Sequence, residues 1–332
     1  MARARAADKD SDTTAASAVY NLAALIASDC GLPDLARQWC HEHAAAYLRA
    51  PAMGAQEARH ALEPLVNLAR LHIRDGNGDA AFHLLDNLYE AVDTRTDTVI
   101  DGIPIPAATI TTTDTDHREL RRWLWSVHLA DGTRALTSAG RWQDAHQHLQ
   151  ARKGIGRRML DGRQVAVIAH ATADDHDGAL ELLDTTAPGE PWQDAVTACL
   201  TALCAEPNNS AIHRTDALKR YRRLVPKPPL AVFQTRLGLS VLDAIGGAEH
   251  PAARDLAAHL VTQVIATRDG YIARDLLAHD GCVALINDDQ ARDIAAALDT
   301  SGLGRQAIPS QLRANLSAAL ATSAAVLARE LL

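Results

Sequence analysis

Cysteine, histidine and glutamate stand together in Cys40-His41-Glu42-His43, the most metal-like cluster of this 332-residue sequence. On a helix Cys40 and His43 would share one face, and Cys30 lies near the end of the preceding helical stretch. A structural zinc site needs four ligands, and no standard zinc spacing is present here. We therefore interpret these residues as packing and surface side chains, and we expect no metal and no cofactor.

Two aspartate-rich segments imitate the loops that bind cations. Asp75-Gly-Asn-Gly-Asp79 begins like a calcium loop, but Ala80 stands where such a loop needs glycine and Asp86 where it needs a bidentate glutamate. The carboxylates of Asp174-Asp-His-Asp-Gly178 suit the first turn of a helix. We expect a turn between helices at both places.

Positive charge is concentrated in two groups. Five cations lie within twelve positions around Gly154-Ile-Gly156, which lacks the third glycine and the preceding strand of a nucleotide fingerprint. The other group lies beside Trp123 and Trp125. Guanidinium groups pair bidentately with carboxylates and phosphates, which predicts binding of an acidic peptide; a solvated surface with core tryptophans is the alternative. The candidate peptide- or anion-binding residues are Arg118, Arg121, Arg122, Arg152, Lys153, Arg157, Arg158 and Arg163.

Catalytic and nucleic-acid-binding patterns are weak. No serine, cysteine or lysine has a recognisable activating partner nearby in sequence, and the 15 histidines are scattered. A further basic stretch, residues 214–227, includes one aromatic residue, Tyr221, on which a base could stack. The net charge of −8 argues against binding to nucleic acids or anionic membranes. We predict a protein that is not an enzyme and that binds neither nucleic acids nor membranes.

Composition favours helices. Hydrophobic residues make up 47% of the chain but aromatic residues only 4%, so the apolar residues are mainly alanine and leucine. No run has the length of a membrane span, and no apolar segment follows the charged N-terminus. The 5 cysteines match no disulfide framework. These features predict an all-α protein in the cytoplasm.

One turn pattern recurs four times between apolar helical stretches. A glycine, or once an aspartate, ends the first helix, and an alanine five positions later faces that helix, so that the two helix axes approach closely. The pattern predicts helical hairpins that stack as a solenoid, a fold that usually binds peptides or proteins. The four instances are Gly31 to Ala36, Gly76 to Ala81, Gly140 to Ala145 and Asp174 to Ala179.

The sequence predicts that the chain has three parts. Residues 1–14 are polar and are expected to be a disordered tail, and residues 15–186 hold the helical repeats. A long irregular insertion, residues 93–116, interrupts the repeats, and Asp101-Gly102 within it predicts a β-hairpin over 98–105. Residues 190–332 form a C-terminal helical subdomain in which the repeat is blurred.

The turn-and-alanine pattern resembles the tetratricopeptide-repeat family over about residues 15–186. The chain is also similar to the helical half of actinobacterial helix-turn-helix regulators, although too few residues precede the repeats for a DNA-reading domain. Among such proteins it resembles the helical accessory component of class V lanthipeptide synthetases. That resemblance implies a precursor peptide together with kinase-like and lyase-like biosynthetic proteins as partners.

Three functional hypotheses follow. The first is a non-catalytic scaffold that binds a peptide or protein, with a ribosomal precursor peptide as the ligand that the resemblance implies. The second is the sensor module of a transcriptional regulator that lacks its DNA-binding domain. The third is an enzyme whose site lies in the C-terminal helical subdomain.

Overall fold

The computed structural model describes residues 1–205 and 210–331. The protein is all-α, apart from one two-stranded antiparallel sheet in the described residues. None of the helices described is both long and apolar enough to cross a membrane. The elements are α1 (Ala2–Asp10), α2 (Thr13–Asp29), α3 (Pro33–Leu48), α4 (Ala55–Arg74), α5 (Gly78–Thr94), β1 (Thr98–Ile100), β2 (Ile103–Ile105), α6 (Asp114–Ser138), α7 (Trp142–Ala151), α8 (Asp161–Thr172), α9 (His176–Asp184), α10 (Pro191–Cys204), α11 (Ser210–Arg222), α12 (Ala231–Ala244), α13 (Ala253–Thr267), α14 (Gly270–Leu277), α15 (Asp280–Val283), α16 (Asp288–Ser301) and α17 (Ser310–Leu331).

The four predicted turns share one hydrogen-bond geometry. Gly31, Gly76 and Gly140 have φ values of 79°, 75° and 73°, and Asp174 takes the same left-handed conformation at 57°. The next residue in each turn donates its N–H to the carbonyl five positions back, at 2.8 to 3.0 Å. This bond satisfies a carbonyl that the helix end would otherwise leave unpaired. The predicted helix-turn-helix hairpins are therefore confirmed.

The four alanines of the pattern carry the packing of these hairpins. Ala36, Ala81, Ala145 and Ala179 are each fully buried. A methyl group at these positions lets the second helix lie close to the first, and a larger side chain would force the axes apart. The segments that imitate calcium loops are turns: Asn77 and Asp175 cap the following helices through hydrogen bonds to the N–H groups of Ala80 and Gly178.

The predicted β-hairpin is also confirmed. Thr98 pairs with Ile105 and Ile100 with Ile103. Asp101 and Gly102 form the two-residue turn, with φ values of 54° and 77°. Positive φ at both central residues is the geometry whose twist matches that of the flanking strands.

The chain forms two compact units. One consists of residues 1–148 together with the stretch that begins at Gly304, and the other is Leu149–Leu303. The division falls within α7 and not near residue 186, where the break in the sequence predicted it. The closing helix α17 belongs to the first unit, where it packs against α1, α2 and α3.

The predicted disordered tail, residues 1–14, is instead mostly the helix α1. Ala4 and Ala7 are fully buried, and α1 packs against α2 and α17. Arg329 of α17 forms an ion pair with Asp8 at 3.3 Å. The sequence looked polar because the buried face of this helix consists of alanines, which provide little hydrophobic signal.

In the first unit the hairpins stack so that alternate helices are neighbours. From α1 to α6 each helix packs against the next one along the chain, and α4 also packs against both α2 and α6. The helices α2, α4 and α6 therefore lie side by side as the first members of three successive hairpins. In the second unit α8 and α9 form a fourth hairpin, and α10 to α16 pack around their own leucine- and valine-rich core.

Candidate functional site

A groove of about 470 Å³ lies along α2, α4 and α6 in the first unit. These three helices are the first members of successive hairpins, so the stacking of the hairpins creates the groove. Both polar and apolar side chains line it. They are Asn21, Leu22, Ala24, Leu25, Ser28, Cys40, Arg59, Glu63, Val66, Asn67, Arg70, Leu71, Arg74, Trp123 and Val127.

A polar stripe on α4 runs along the groove. It consists of Arg59, Glu63, Asn67, Arg70 and Arg74. The spacings of three and four residues place these side chains on one face of the helix, one turn after another. The stripe carries three cations and one carboxylate, and two further carboxylates, Asp131 and Asp29, pair with Arg70 and Arg74.

The polar side chains of the groove hold one another in place. Asn21 of α2 donates a hydrogen bond from Nδ2 to Oε2 of Glu63 at 3.1 Å and accepts one at Oδ1 from Nδ2 of Asn67 at 3.0 Å. Arg70 donates from Nη1 to Oδ1 of Asn67 at 3.2 Å. A continuous line of hydrogen bonds therefore joins the two helices, and it fixes which atoms face the groove.

Glu63 is ionised at neutral pH. Burial alone would raise its pKa, but the hydrogen bond and charge of His60, the Asn21 carboxamide and the charge of Arg59 outweigh burial and lower the pKa to about 2. Arg59 donates from Nε to Oε1 of Glu63 at 3.1 Å. Its guanidinium carbon also lies 5.3 Å from the ring centre of Trp123, a cation–π distance that ties α4 to α6.

The other two arginines of the stripe pair with carboxylates of neighbouring helices. Arg70 donates from Nη2 and Nε to the two carboxylate oxygens of Asp131, at 2.8 and 3.3 Å. Asp131 is buried and also accepts from Arg134 at 3.1 Å. Arg74 pairs with Asp29 at 2.6 Å. The guanidinium groups therefore have defined positions, while each arginine side chain remains about half exposed.

Apolar side chains form the rest of the groove. Leu22 and Leu25 of α2 are 41% and 43% exposed, and they lie close together on the groove side of the helix. Half-buried Trp123 and Val127 of α6 face them across the groove. A ligand that covered the two leucines would remove apolar surface from water, which is the main source of affinity in such grooves.

The metal-like cluster contributes mainly to the core, and Cys40 also lines the groove. Cys40 and His43 are on the same buried face, as the spacing predicted. Burial, followed by the charge of Asp101, raises the pKa of Cys40 to about 12. His43 stacks on Tyr20 with ring centres 4.9 Å apart, and His41 instead bonds to Asp101 at 2.7 Å.

The candidate cations of α6 lie outside the groove. Arg118, Arg121 and Arg122 are exposed, and the groove lining does not include them. Arg121 pairs with Asp93, and Arg118 donates to the carbonyl of Asp114 at 3.2 Å. Only Trp123, among the residues of this stretch that the sequence singled out, reaches the groove.

Arg163 differs from the other predicted binding residues because it is buried. It donates to Oγ1 of Thr186 at 2.9 Å, to Oγ1 of Thr185 at 2.8 Å and to the carbonyls of Gly156 and Leu182 at 2.9 and 2.5 Å. These bonds fasten the loop before α8 to the end of α9. The guanidinium is engaged within the fold, so Arg163 has a structural role and not the ligand-binding role that the sequence predicted.

The remaining cations of this loop lie at the surface of the second unit. Lys153 and Arg157 are exposed, whereas Arg152 is half-buried. Arg158 donates from Nε to Oε1 of Gln193 at 3.0 Å. These residues and those of α6 belong to different compact units, so we treat them as two separate surfaces.

The residues of the groove were not identified as a site in the sequence. The signal was present in part: Arg59, Glu63, Asn67, Arg70 and Arg74 recur at helical spacing within one long helix. Such a stripe is also what any solvated helix face shows. What distinguishes it is Asn21, which lies on another helix and completes the hydrogen-bonded line.

Chemically, the groove can bind but shows little that could react. Over residues 1–205 and 210–331, no group of three or more His, Cys, Asp or Glu side chains could hold a metal ion. The groove offers carboxamides, guanidinium groups and apolar surface, which together suit a ligand with amide groups, negative charge and apolar side chains. Comparison with family models, curated proteins and solved structures finds no match for this chain.

Proposed function

We propose that this protein is a non-catalytic scaffold that binds a peptide in the groove along α2, α4 and α6. The observation that supports the proposal best is the combination in one groove of two exposed leucines with a hydrogen-bonded line of carboxamides and arginines. Carboxamides can donate to and accept from a peptide main chain, and leucines can cover its apolar side chains.

The arrangement of the hairpins supports the same proposal. Four turns with one geometry and four fully buried alanines resemble tetratricopeptide repeats, whose stacked first helices commonly form a binding surface. The resemblance to the helical component of class V lanthipeptide synthetases makes a ribosomal precursor peptide the ligand that we propose. The scaffold would present that peptide, in the cytoplasm, to separate kinase-like and lyase-like enzymes.

The proposal is tested with peptides selected from a random dodecapeptide library displayed on phage. We expect binders whose affinity falls at least about tenfold when Leu22 and Leu25 are both replaced by glutamate, since each covered leucine contributes about 1.5–3 kcal/mol. The matched control is Leu160→Glu, at a leucine that is 48% exposed in the second unit. The proposal would be refuted if no peptide were selected, or if the groove substitutions left the affinity of the selected peptides unchanged.

A further inference from the structure

Two arginines of the stripe are separated by a fixed distance along the groove. Arg59 and Arg70 are eleven residues apart on α4, which corresponds to about 16 Å along the helix axis. Asn21 contacts Glu63 and Asn67, and Ser28 of the same helix contacts Arg74. The helices α2 and α4 therefore run side by side in the same direction.

The exposed leucines lie beside the second half of the stripe, near Arg70. Leu22 and Leu25 follow Asn21 and precede Ser28 on α2, so they are beside the part of α4 that leads from Glu63 toward Arg74. Apolar surface is thus placed between the position of Arg59 and the end of the stripe. A ligand that covers the leucines therefore passes Arg70, and one that continues toward the start of α4 reaches Arg59.

Arg59 and Arg70 can each turn to a ligand without leaving a buried carboxylate unpaired. If Arg59 turns away, Glu63 keeps its hydrogen bond from Asn21 at 3.1 Å and its contact with His60 at 3.5 Å. If Arg70 turns away, Asp131 keeps its ion pair with Arg134 at 3.1 Å.

Arg74 differs in this respect. Its partner Asp29 is mostly buried, with a side chain 21% exposed. Within the described residues Arg74 is the one cation at ion-pair distance from Asp29. Moving Arg74 to a ligand would leave that carboxylate without its partner, which costs free energy. Two of the three arginines are therefore available to a ligand.

The carboxamides of the groove favour an extended peptide over a helical one. Asn21 and Asn67 each use one of the two N–H groups of Nδ2, and the second can donate to a ligand carbonyl. A helical peptide satisfies its own main-chain carbonyls, whereas an extended peptide presents them to such donors. An extended chain advances about 3.3 Å per residue, so 16 Å corresponds to about five residues.

We propose, on the basis of the function proposed above, that the groove selects an extended peptide with two acidic residues four to six positions apart and apolar residues between them. One acidic side chain pairs with Arg59 and the other with Arg70. The apolar side chains cover Leu22 and Leu25. The distance between the two peptide carboxylates therefore determines the affinity, while the carboxamides of Asn21 and Asn67 bind the peptide main chain.

The spacing is tested with synthetic fluorescein-labelled dodecapeptides of identical composition. Each has two glutamates among leucine, alanine and serine, at separations of two, five or nine positions. Fluorescence anisotropy should show the peptide with separation five binding at least about tenfold more tightly than the other two. The difference should shrink as the salt concentration rises from 50 to 300 mM, since partly exposed ion pairs are screened.

A double-mutant cycle assigns each contact. Arg59→Gln should weaken binding of the separation-five peptide, and replacement of one particular peptide glutamate by glutamine should have no further effect in that variant. Arg70→Gln should show the same behaviour with the other glutamate. The control is Arg121→Gln, at an exposed arginine of α6 that pairs with Asp93 and is not part of the groove lining.

The outcomes separate this inference from the proposed function. If all three separations bind equally and Leu22→Glu with Leu25→Glu abolishes the binding, the groove binds peptides but does not read acidic spacing. If library-selected peptides bind while none of the three synthetic peptides does, the acidic ligand class is wrong. If neither kind of peptide binds, the proposed function fails as well.

Discussion

The arginines of the α4 stripe differ in their contacts from Arg163, which lies in the first turn of α8 and belongs to the basic cluster of residues 152–163. Arg59 and Arg70 are half exposed, and each shares its carboxylate with a second polar group. Arg163 is buried, and its four hydrogen bonds all go to groups of its own loop and helix pair. Clustered positive charge therefore identifies a binding surface only when the partners of each cation are known.

The largest effect is expected from the buried arginine. Replacement of Arg163 by methionine removes every donor of the side chain. The carbonyl of Gly156 then loses its partner, and the carbonyl of Leu182 keeps the hydroxyl of Thr186. We expect the free energy of unfolding to fall by about 3 kcal/mol. Urea unfolding followed by circular dichroism measures it. The exposed Arg157→Met is the control, and equal stability of both variants would show that the bonds of Arg163 do not hold the loop.

The second prediction concerns the packing of the helical hairpins. Ala81→Leu adds bulk at a fully buried contact between α4 and α5, and it should destabilise the protein by about 1–3 kcal/mol. Ala130→Leu places the same side chain at an exposed position of α6 and should be nearly neutral. Similar unfolding midpoints for the two variants would mean that the alanine of the turn pattern does not set the distance between the helices.

A buried histidine predicts a pH dependence of stability. Burial lowers the pKa of His43 to about 3, with Glu63 opposing this shift and His60 adding to it. The folded state therefore keeps His43 neutral, and the unfolded state alone gains a proton as the pH falls below about 6.5. The free energy of unfolding therefore decreases as the pH falls from 6.5 toward about 3, and the decrease reaches about 2 kcal/mol at pH 5.

The variant His43→Phe keeps a ring against Tyr20 and removes the titrating group. Its stability should vary less between pH 7 and pH 5 than that of the parent protein. The pKa of Glu63, lowered to about 2, affects stability only below about pH 4.5, so it does not interfere in this range. Parallel pH profiles for parent and variant would show that His43 is not the group responsible.

The smallest effect is expected at the exposed cations of α6. Arg121→Gln removes an ion pair with Asp93 at the surface, where such pairs contribute at most about 1 kcal/mol. We expect a change below that value by urea unfolding, and no change in the affinity of groove-binding peptides. A loss of peptide affinity as large as that of Arg70→Gln would extend the binding surface to this part of α6.

Features set by neighbouring residues could be predicted from the sequence. The turns at Gly31, Gly76 and Gly140 and the hairpin at Asp101-Gly102 depend on local backbone conformation, and all are present. The groove could not be predicted, because it requires residues of α2, α4 and α6 that are far apart in the chain. The return of α17 to the first unit is likewise a long-range contact, which the blurred repeat after residue 190 did not indicate.

Hydrogen exchange, followed by mass spectrometry with and without a library-selected peptide, tests the central claim most directly. Binding in the groove should slow exchange in residues 21–28, 59–74 and 123–127, and it should leave residues 149–303 unchanged. Protection confined to the basic loop at residues 152–163, or to other parts of the second unit, would contradict the assignment of the groove as the binding site.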